Sequence, residues 1–173
     1  MAFWEVIAAE AAAESRLWGE ALVPSAERQL CAVFSPLGEA RFALGLETIY
    51  EGYLLHFGRP RLFAPKDADD ALLLGDYLYA HGLVRVAAVD PLGAVADLAE
   101  LISLCSQVRA EERDGDGAVW AATAAVLGSG RLDEARSALR VRRDASALDA
   151  LAREAVGDEA VDRALAAHAA RLR

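Results

Sequence analysis

Lysine occurs once in this 173-residue chain, at Lys66, and the formal net charge is −9. A surface of that sign cannot neutralise a phosphate backbone, so nucleic-acid binding is disfavoured. Long apolar runs are also missing, and none approaches the ~20 residues that span a bilayer. The opening stretch, MAFWEVIAAEAAAESRLW, carries an early glutamate and no basic segment, so it does not read as a secretory leader. Cysteine is limited to Cys31 and Cys105, both in sequence that otherwise reads as core. That pattern points to reduced, buried thiols in a cytoplasmic protein and away from a disulfide. The alternation of aromatic and β-branched residues that marks strands is nearly absent.

What remains is helix. Apolar residues make up 55% of the chain, and much of that is alanine, the best helix former. Arginine in place of lysine, with so much alanine, is the usage associated with GC-rich bacterial genomes. The expected class is all-α, a helical bundle forming a single domain over residues 1–173. A chain of this length hides about 70% of its unfolded surface.

Periodicity and punctuation place the helices. A first helix is predicted over residues 2–22, with Phe3, Val6, Ile7, Leu17 and Trp18 on one broken face, ended by Pro24. Ser25 caps a second, over 25–34. A third, over 39–57, spaces Phe42, Leu46, Ile49, Tyr53 and Phe57 by three or four and is apolar on more than one side, which suits a bundle centre. Asp67, Asp69 or Asp70 caps a fourth, to about residue 88, with Leu72, Leu73, Tyr77, Ala80 and Val84 as its inward face. Asp90-Pro91 starts a fifth, to about residue 112, with Leu98, Leu101, Ile102, Cys105 and Val108 inward. A short sixth covers 118–127. From residue 131 onward a thin seam of Leu139, Leu148, Leu151, Ala155, Val161, Leu165 and Leu172 predicts two amphipathic helices, divided at Gly157-Asp158, that cover the core or dock a partner.

Three consecutive pieces carry a resemblance: LETIYEGYLLHFG (46–58), DDALLLGDYLYAHGL (69–83) and LAELISLCSQVRAE (98–111). In that order they resemble the trans-polyprenyl diphosphate synthase family, over a core of about residues 39–130. Glu47, Ile49, Leu54, Leu55 and His56 follow the family helix that ends in two magnesium-binding aspartates. Leu72 to Leu78, with Gly75-Asp76 at the centre, follows its A-x-L-x-G-D-x-L helix, and Ser106-Gln107 its Gly-Gln pair. The resemblance implies a truncated isoprenoid-synthase-like bundle.

It also implies lost chemistry. Phe57 and Gly58 stand at the two aspartate positions, and neither can hold a hard cation that wants several oxygens. The pyrophosphate-holding lysine is missing from the helix at Ala118 to Thr123. No D-D-x-x-D follows Gly130, and Arg59 and Arg61 are the remnants of the arginines expected after the first motif. Chain elongation in the family depends on metals held by two facing aspartate clusters. The implied reading is a non-catalytic subunit, similar in kind to the short partner in heterodimeric hepta- and hexaprenyl diphosphate synthases. Its partner would be the catalytic polyprenyl diphosphate synthase chain, or a second copy in a homodimer, with no cofactor or metal of its own. An alternative is a stand-alone bundle holding a prenyl or other lipidic chain. Tyr50, Tyr53, Leu54, His56, Asp76, Tyr77 and Gln107 are the candidates for a vestigial cavity.

Other signals have plainer readings beside the functional ones. Asp67-Ala68-Asp69-Asp70 matches the D-x-D-D proton-donor motif of class II terpene cyclases, but clustered aspartates commonly cap helices. Asp69 and Asp76 share a helix face, yet Asp70 does not join them as a metal set. His56 on a buried helix reads as a hydrogen-bonded core residue, and Tyr50, Tyr53 and Tyr77 as core aromatics.

Overall fold

The computed structural model describes residues 3–90 and 92–172. Among them are nine α-helices and no strand: α1 (Phe3–Glu14), α2 (Arg16–Glu20), α3 (Ala43–Phe57), α4 (Ala68–Ala87), α5 (Gly93–Ala110), α6 (Asp116–Ala125), α7 (Asp133–Arg142), α8 (Ser146–Val156) and α9 (Asp158–Ala169). Single 3-10 turns occupy Ser25–Glu27, Ser35–Leu37 and Ala40–Phe42. The class is all-α, and no described helix is long and apolar enough to cross a membrane.

The centre is α3, buried on every side from Gly45 to Leu55. Its apolar residues are not confined to one stripe, so it can be enclosed completely. Against it α4 runs antiparallel along two pairs of glycines spaced by seven, Gly45 and Gly52 facing Gly82 and Gly75. A Cβ built at Gly82 would lie 2.3 Å from Ile49 Cγ1 and 3.1 Å from the Gly45 carbonyl oxygen. One built at Gly52 would lie 2.8 Å from the Gly75 carbonyl oxygen. The two backbones come this close only because no side chain intervenes.

That closeness corrects the expected face of α4. The buried residues are Leu74, Gly75, Leu78, Gly82 and Val86. Leu72, Leu73 and Val84 are instead 52%, 56% and 68% exposed, Ala80 is exposed, and Tyr77 is half-buried. Two stripes of α4 are apolar, and the one with glycines wins because it fits flush on α3.

The expected first helix is broken at Ser15, which is extended (φ −149°, ψ 136°) and accepts a hydrogen bond from the Leu17 N–H to open α2; Ala2, its expected first residue, lies outside the described residues. The expected helix over 25–34 is not formed beyond one 3-10 turn. Its carbonyls are used elsewhere: Arg61 donates to Cys31 O at 2.9 Å and Arg171 to Gln29 O at 3.2 Å. Consequently Cys31 is exposed, against the expectation of burial, while Cys105 is buried. For α5, the Asp90 carboxylate accepts from the Leu92 N–H at 3.2 Å; Pro91 and its expected role at the helix start lie outside the described residues.

The expected pair of C-terminal helices is three. Arg143 adopts a left-handed conformation (φ 60°) that ends α7, and Asp144 accepts from the Ser146 N–H at 2.9 Å to start α8. Gly157 (φ 86°) separates α8 from α9. Leu139, Leu148, Ala152, Val161 and Ala164 enter the main core beside α3, α5 and α6. A smaller cluster gathers Trp4, Ile7 and Ala11 of α1 with Leu55, Leu62, Leu74 and Leu78.

Candidate functional site

The end of α3, at Phe57 and Gly58, is closed by the C-terminal residues. Gly58 forms an isolated antiparallel bridge with Leu172, and the Arg59 N–H donates to Arg171 O at 2.8 Å. A Cβ at Gly58 would meet Arg171 O at 2.7 Å, so glycine is a packing requirement there. Phe57 packs its ring 5.2 Å from that of Tyr53, with the Arg109 guanidinium 5.9 Å from its centroid. Among the described residues no group of three or more histidine, cysteine or acidic side chains is arranged to hold a metal ion.

The seven candidate cavity residues divide into separate sets. Tyr50, Tyr53 and Leu54 are at most 1% exposed, with both tyrosine rings edge-on to Trp120 at 5.0 and 5.6 Å. They belong to packed core. His56 Nε2 lies 3.2 Å from Asp76 Oδ1, and its ring stacks on Tyr79 at 5.0 Å. Tyr77 faces elsewhere, toward Trp18 and His81 at 6.0 and 4.4 Å. Gln107 donates to Glu111 at 2.9 Å on the surface. None of the seven lines any of five surface pockets of about 180 to 400 Å³ formed by the described residues.

Two buried polar clusters were not legible as sites. Glu47 and Glu51 project from α3 onto Arg61, and all three are at most 1% exposed. Arg61 Nη1 donates to Glu47 Oε2 at 2.5 Å and Nε to Glu51 Oε2 at 2.9 Å. Glu51 Oε1 also accepts the backbone N–H groups of Arg61 and Leu62, each at 2.7 Å, and the Ser35 hydroxyl donates to Glu47 at 2.5 Å. The guanidinium is sandwiched over Trp4 and Tyr50, 4.3 and 4.9 Å from their ring centroids. Burial alone would lower the Arg61 pKa, but the two carboxylates outweigh it and raise it. The signal available in sequence was two acids four apart on an otherwise apolar helix.

In the second cluster, Tyr50 Oη lies 2.9 Å from His168 Nδ1, Tyr53 donates to Asp116, and His168 Nε2 is 3.5 Å from Asp116 Oδ2. With Nε2–H turned to the carboxylate, Nδ1 is left to accept from Tyr50. Burial pushes both tyrosine pKa values up. These groups clamp α3, α6 and α9 together. They are enclosed by Phe34 and Trp120, and none of Tyr50, Tyr53, Asp116 and His168 lines the five pockets. Both clusters act as buried fasteners.

The outer side of α4 and the corner into α5 have the opposite character. Leu72, Leu73, Val84, Val89 and Leu92 are 42–81% exposed, and Ala80, Ala87, Ala88 and Ala96 are exposed among them. Between Leu72 and Ala87 of α4, Asp76 is the one charged residue that is exposed, its side chain 66% so. An apolar face of this extent on a helix pair is the kind that other proteins cover.

No protein-family model, no curated protein and no solved structure matches this chain.

Proposed function

We propose that this chain is a non-catalytic helical subunit that docks a larger catalytic partner through the outer face of α4 and the α4–α5 corner. The observation that carries the reading is the exposure of Leu72, Leu73 and Val84 on α4 and of Val89 and Leu92 in the α4–α5 corner. Burying a leucine or valine side chain contributes about 1.5–3 kcal/mol, so a handful of them offsets a large part of the ~4–15 kcal/mol that association costs. A net charge of −9 opposes pairing with a second copy. The resemblance of 46–58, 69–83 and 98–111 to trans-polyprenyl diphosphate synthases supplies the partner: the catalytic chain of such an enzyme, with this subunit helping to set product length in isoprenoid side-chain synthesis.

The test is co-expression with a full-length synthase from the same genome that carries both aspartate motifs. The two chains should co-purify, and Leu73→Asp with Val84→Asp should abolish the complex while leaving this chain folded. Alone, the chain should give no magnesium-dependent condensation of isopentenyl diphosphate with an allylic primer. Turnover by the isolated chain, or a self-associated state that the same two substitutions dissolve, overturns the reading.

A further inference from the structure

A cleft runs between one side of α9 and residues 23–38, well apart in sequence from the α4–α5 face. It is made of two pockets, of about 400 and 390 Å³, that share Cys31 and Ala167 as lining residues. Along α9 and its C-terminal turn, Ala160, Ala164, Ala167 and Arg171 recur at helical spacing, so they follow one another along a single wall. The span from Ala160 to Arg171 is ~16 Å at helical rise.

The two ends of the cleft differ in chemistry. At one end the walls are Val33, Pro36 and Leu37 against Ala160 and Ala164, with Arg163 exposed beside them. At the other are Arg59, Arg61 and Arg171 with Gln29. Arg61 is already neutralised by Glu47 and Glu51. Arg59 and Arg171 are not paired with any carboxylate among the described residues; their donors reach backbone carbonyls only, of Ala170 for Arg59 and of Arg59 and Gln29 for Arg171. Each guanidinium offers five N–H donors, so most remain unspent. Burial, with the nearby charge of Arg61, pulls the Arg171 pKa down, as befits a cation short of counter-charge. Glu27, the lone carboxylate among the described lining residues, is exposed.

Two arginines with no carboxylate partner among the described residues at one end, and an apolar trough at the other, match one kind of small molecule. We propose that this cleft binds a single-chain anionic amphiphile, with its phosphate or carboxylate head between Arg59 and Arg171 and its chain along Val33, Leu37 and Ala164. Guanidinium groups hold such heads by charge-assisted, often bidentate hydrogen bonds, and the trough removes the chain from water. The site shares no residue with the α4–α5 face, so it stands or falls independently of the docking reading.

The test uses decyl phosphate, decanoate, the uncharged decyl maltoside and inorganic phosphate, each titrated calorimetrically at monomeric concentrations into the full chain. At least one of the two anionic amphiphiles should bind with one-to-one stoichiometry, and which of them binds tighter identifies the head group. Decyl maltoside and inorganic phosphate should bind at least tenfold more weakly. Arg59→Gln with Arg171→Gln, and separately Ala160→Trp, should each weaken binding at least tenfold, whereas Leu73→Asp should leave it unchanged. In the unmodified protein, the bound amphiphile should slow the reaction of the exposed Cys31 thiol with a disulfide reagent several-fold, a readout that does not depend on any variant folding. The proposal is overturned if neither anionic amphiphile binds, if the uncharged detergent binds equally well, or if Cys31 reacts at the same rate with and without ligand.

Discussion

Gly75 lies directly against the imidazole of His56: a Cβ placed on it would come within 2.5 Å of Nε2 and 2.8 Å of Cδ2. One helical heptad further along α4, Gly82 stands in the same relation to Ile49, at 2.3 Å. Alanine at Gly82 gains about 1 kcal/mol of helix propensity but must push apart buried side chain and backbone, which typically costs about 1–3 kcal/mol. Gly82→Ala should therefore lower the urea midpoint at unchanged slope. Gly75→Ala should cost less, because the half-buried His56 ring has room to turn toward solvent. A higher midpoint for Gly82→Ala would show that the two helices are not in close contact.

The same glycines mark the boundary of what the sequence could disclose. Element type was legible where periodicity and caps agreed, as at Asp67, whose carboxylate accepts from the Asp70 N–H at 2.8 Å. The face of α4 was not, because Leu72, Leu73 and Val84 form a stripe as apolar as Leu74, Leu78 and Val86. Residues 28–34 read as helix on propensity, but arginines remote in sequence, Arg61 and Arg171, take their carbonyls. Nothing local announces that competition. Glu47 and Glu51 stand four apart on an apolar helix, whereas their partner Arg61 lies beyond the helix break at Gly58, where nothing local marks it as buried. Of the seven candidate cavity residues, the i-to-i+4 run of α3 placed Tyr50, Tyr53 and Leu54 together in the core, but which side of α4 faces α3 decided that Asp76 meets His56 and Tyr77 does not.

Arg61 holds two buried carboxylates. Removing it as Arg61→Met strands both, and breaking a buried pair by deleting one partner costs about 3–5 kcal/mol. The loss should exceed that of Glu47→Gln, which keeps an acceptor for Ser35 and leaves Arg61 paired with Glu51. Glu51→Leu should be worse than Glu47→Leu, since Glu51 also satisfies the N–H groups of Arg61 and Leu62. Chemical denaturation of the four variants orders them directly. Equal losses for the two leucine variants would mean that the backbone contacts contribute nothing.

His56 titrates below its ordinary 6.5 because burial disfavours the imidazolium more than Asp76 favours it. Between the folded value and 6.5 the unfolded chain binds more protons, so stability rises with pH across that window. It is complete above 6.5 and lost as pH falls through the folded pKa. Asp76→Asn removes the opposing charge and should lower the imidazole midpoint further, read from the ring proton shifts by NMR. A midpoint in the unmodified protein above 6.5 contradicts the burial account.

Asp116 behaves differently, although it is also enclosed. Burial acts to raise its pKa, but the close approach of His168, the hydrogen bond from Tyr53 and the Arg109 guanidinium outweigh burial and hold it below the ordinary 3.8. A depressed carboxyl stabilises the fold fully above the unfolded value, and that contribution is lost as pH falls through the folded pKa. Asp116→Asn keeps the shape and removes the charge, so at neutral pH it should cost about 1.5–3 kcal/mol for the weakened bonds. The gap between variant and unmodified protein should then begin to narrow as pH drops under 3.8 and close below the lowered folded pKa, where the unmodified carboxyl is also neutral. Other carboxylates titrate in both proteins and cancel in that difference. Because the same acid joins α6 to α3 and α9, Asp116→Asn and His168→Gln should be non-additive, with a coupling of about 0.5–3 kcal/mol in a double-mutant cycle. A gap that stays constant down to low pH would assign the stabilisation to packing around Asp116, and strict additivity would detach α9 from it.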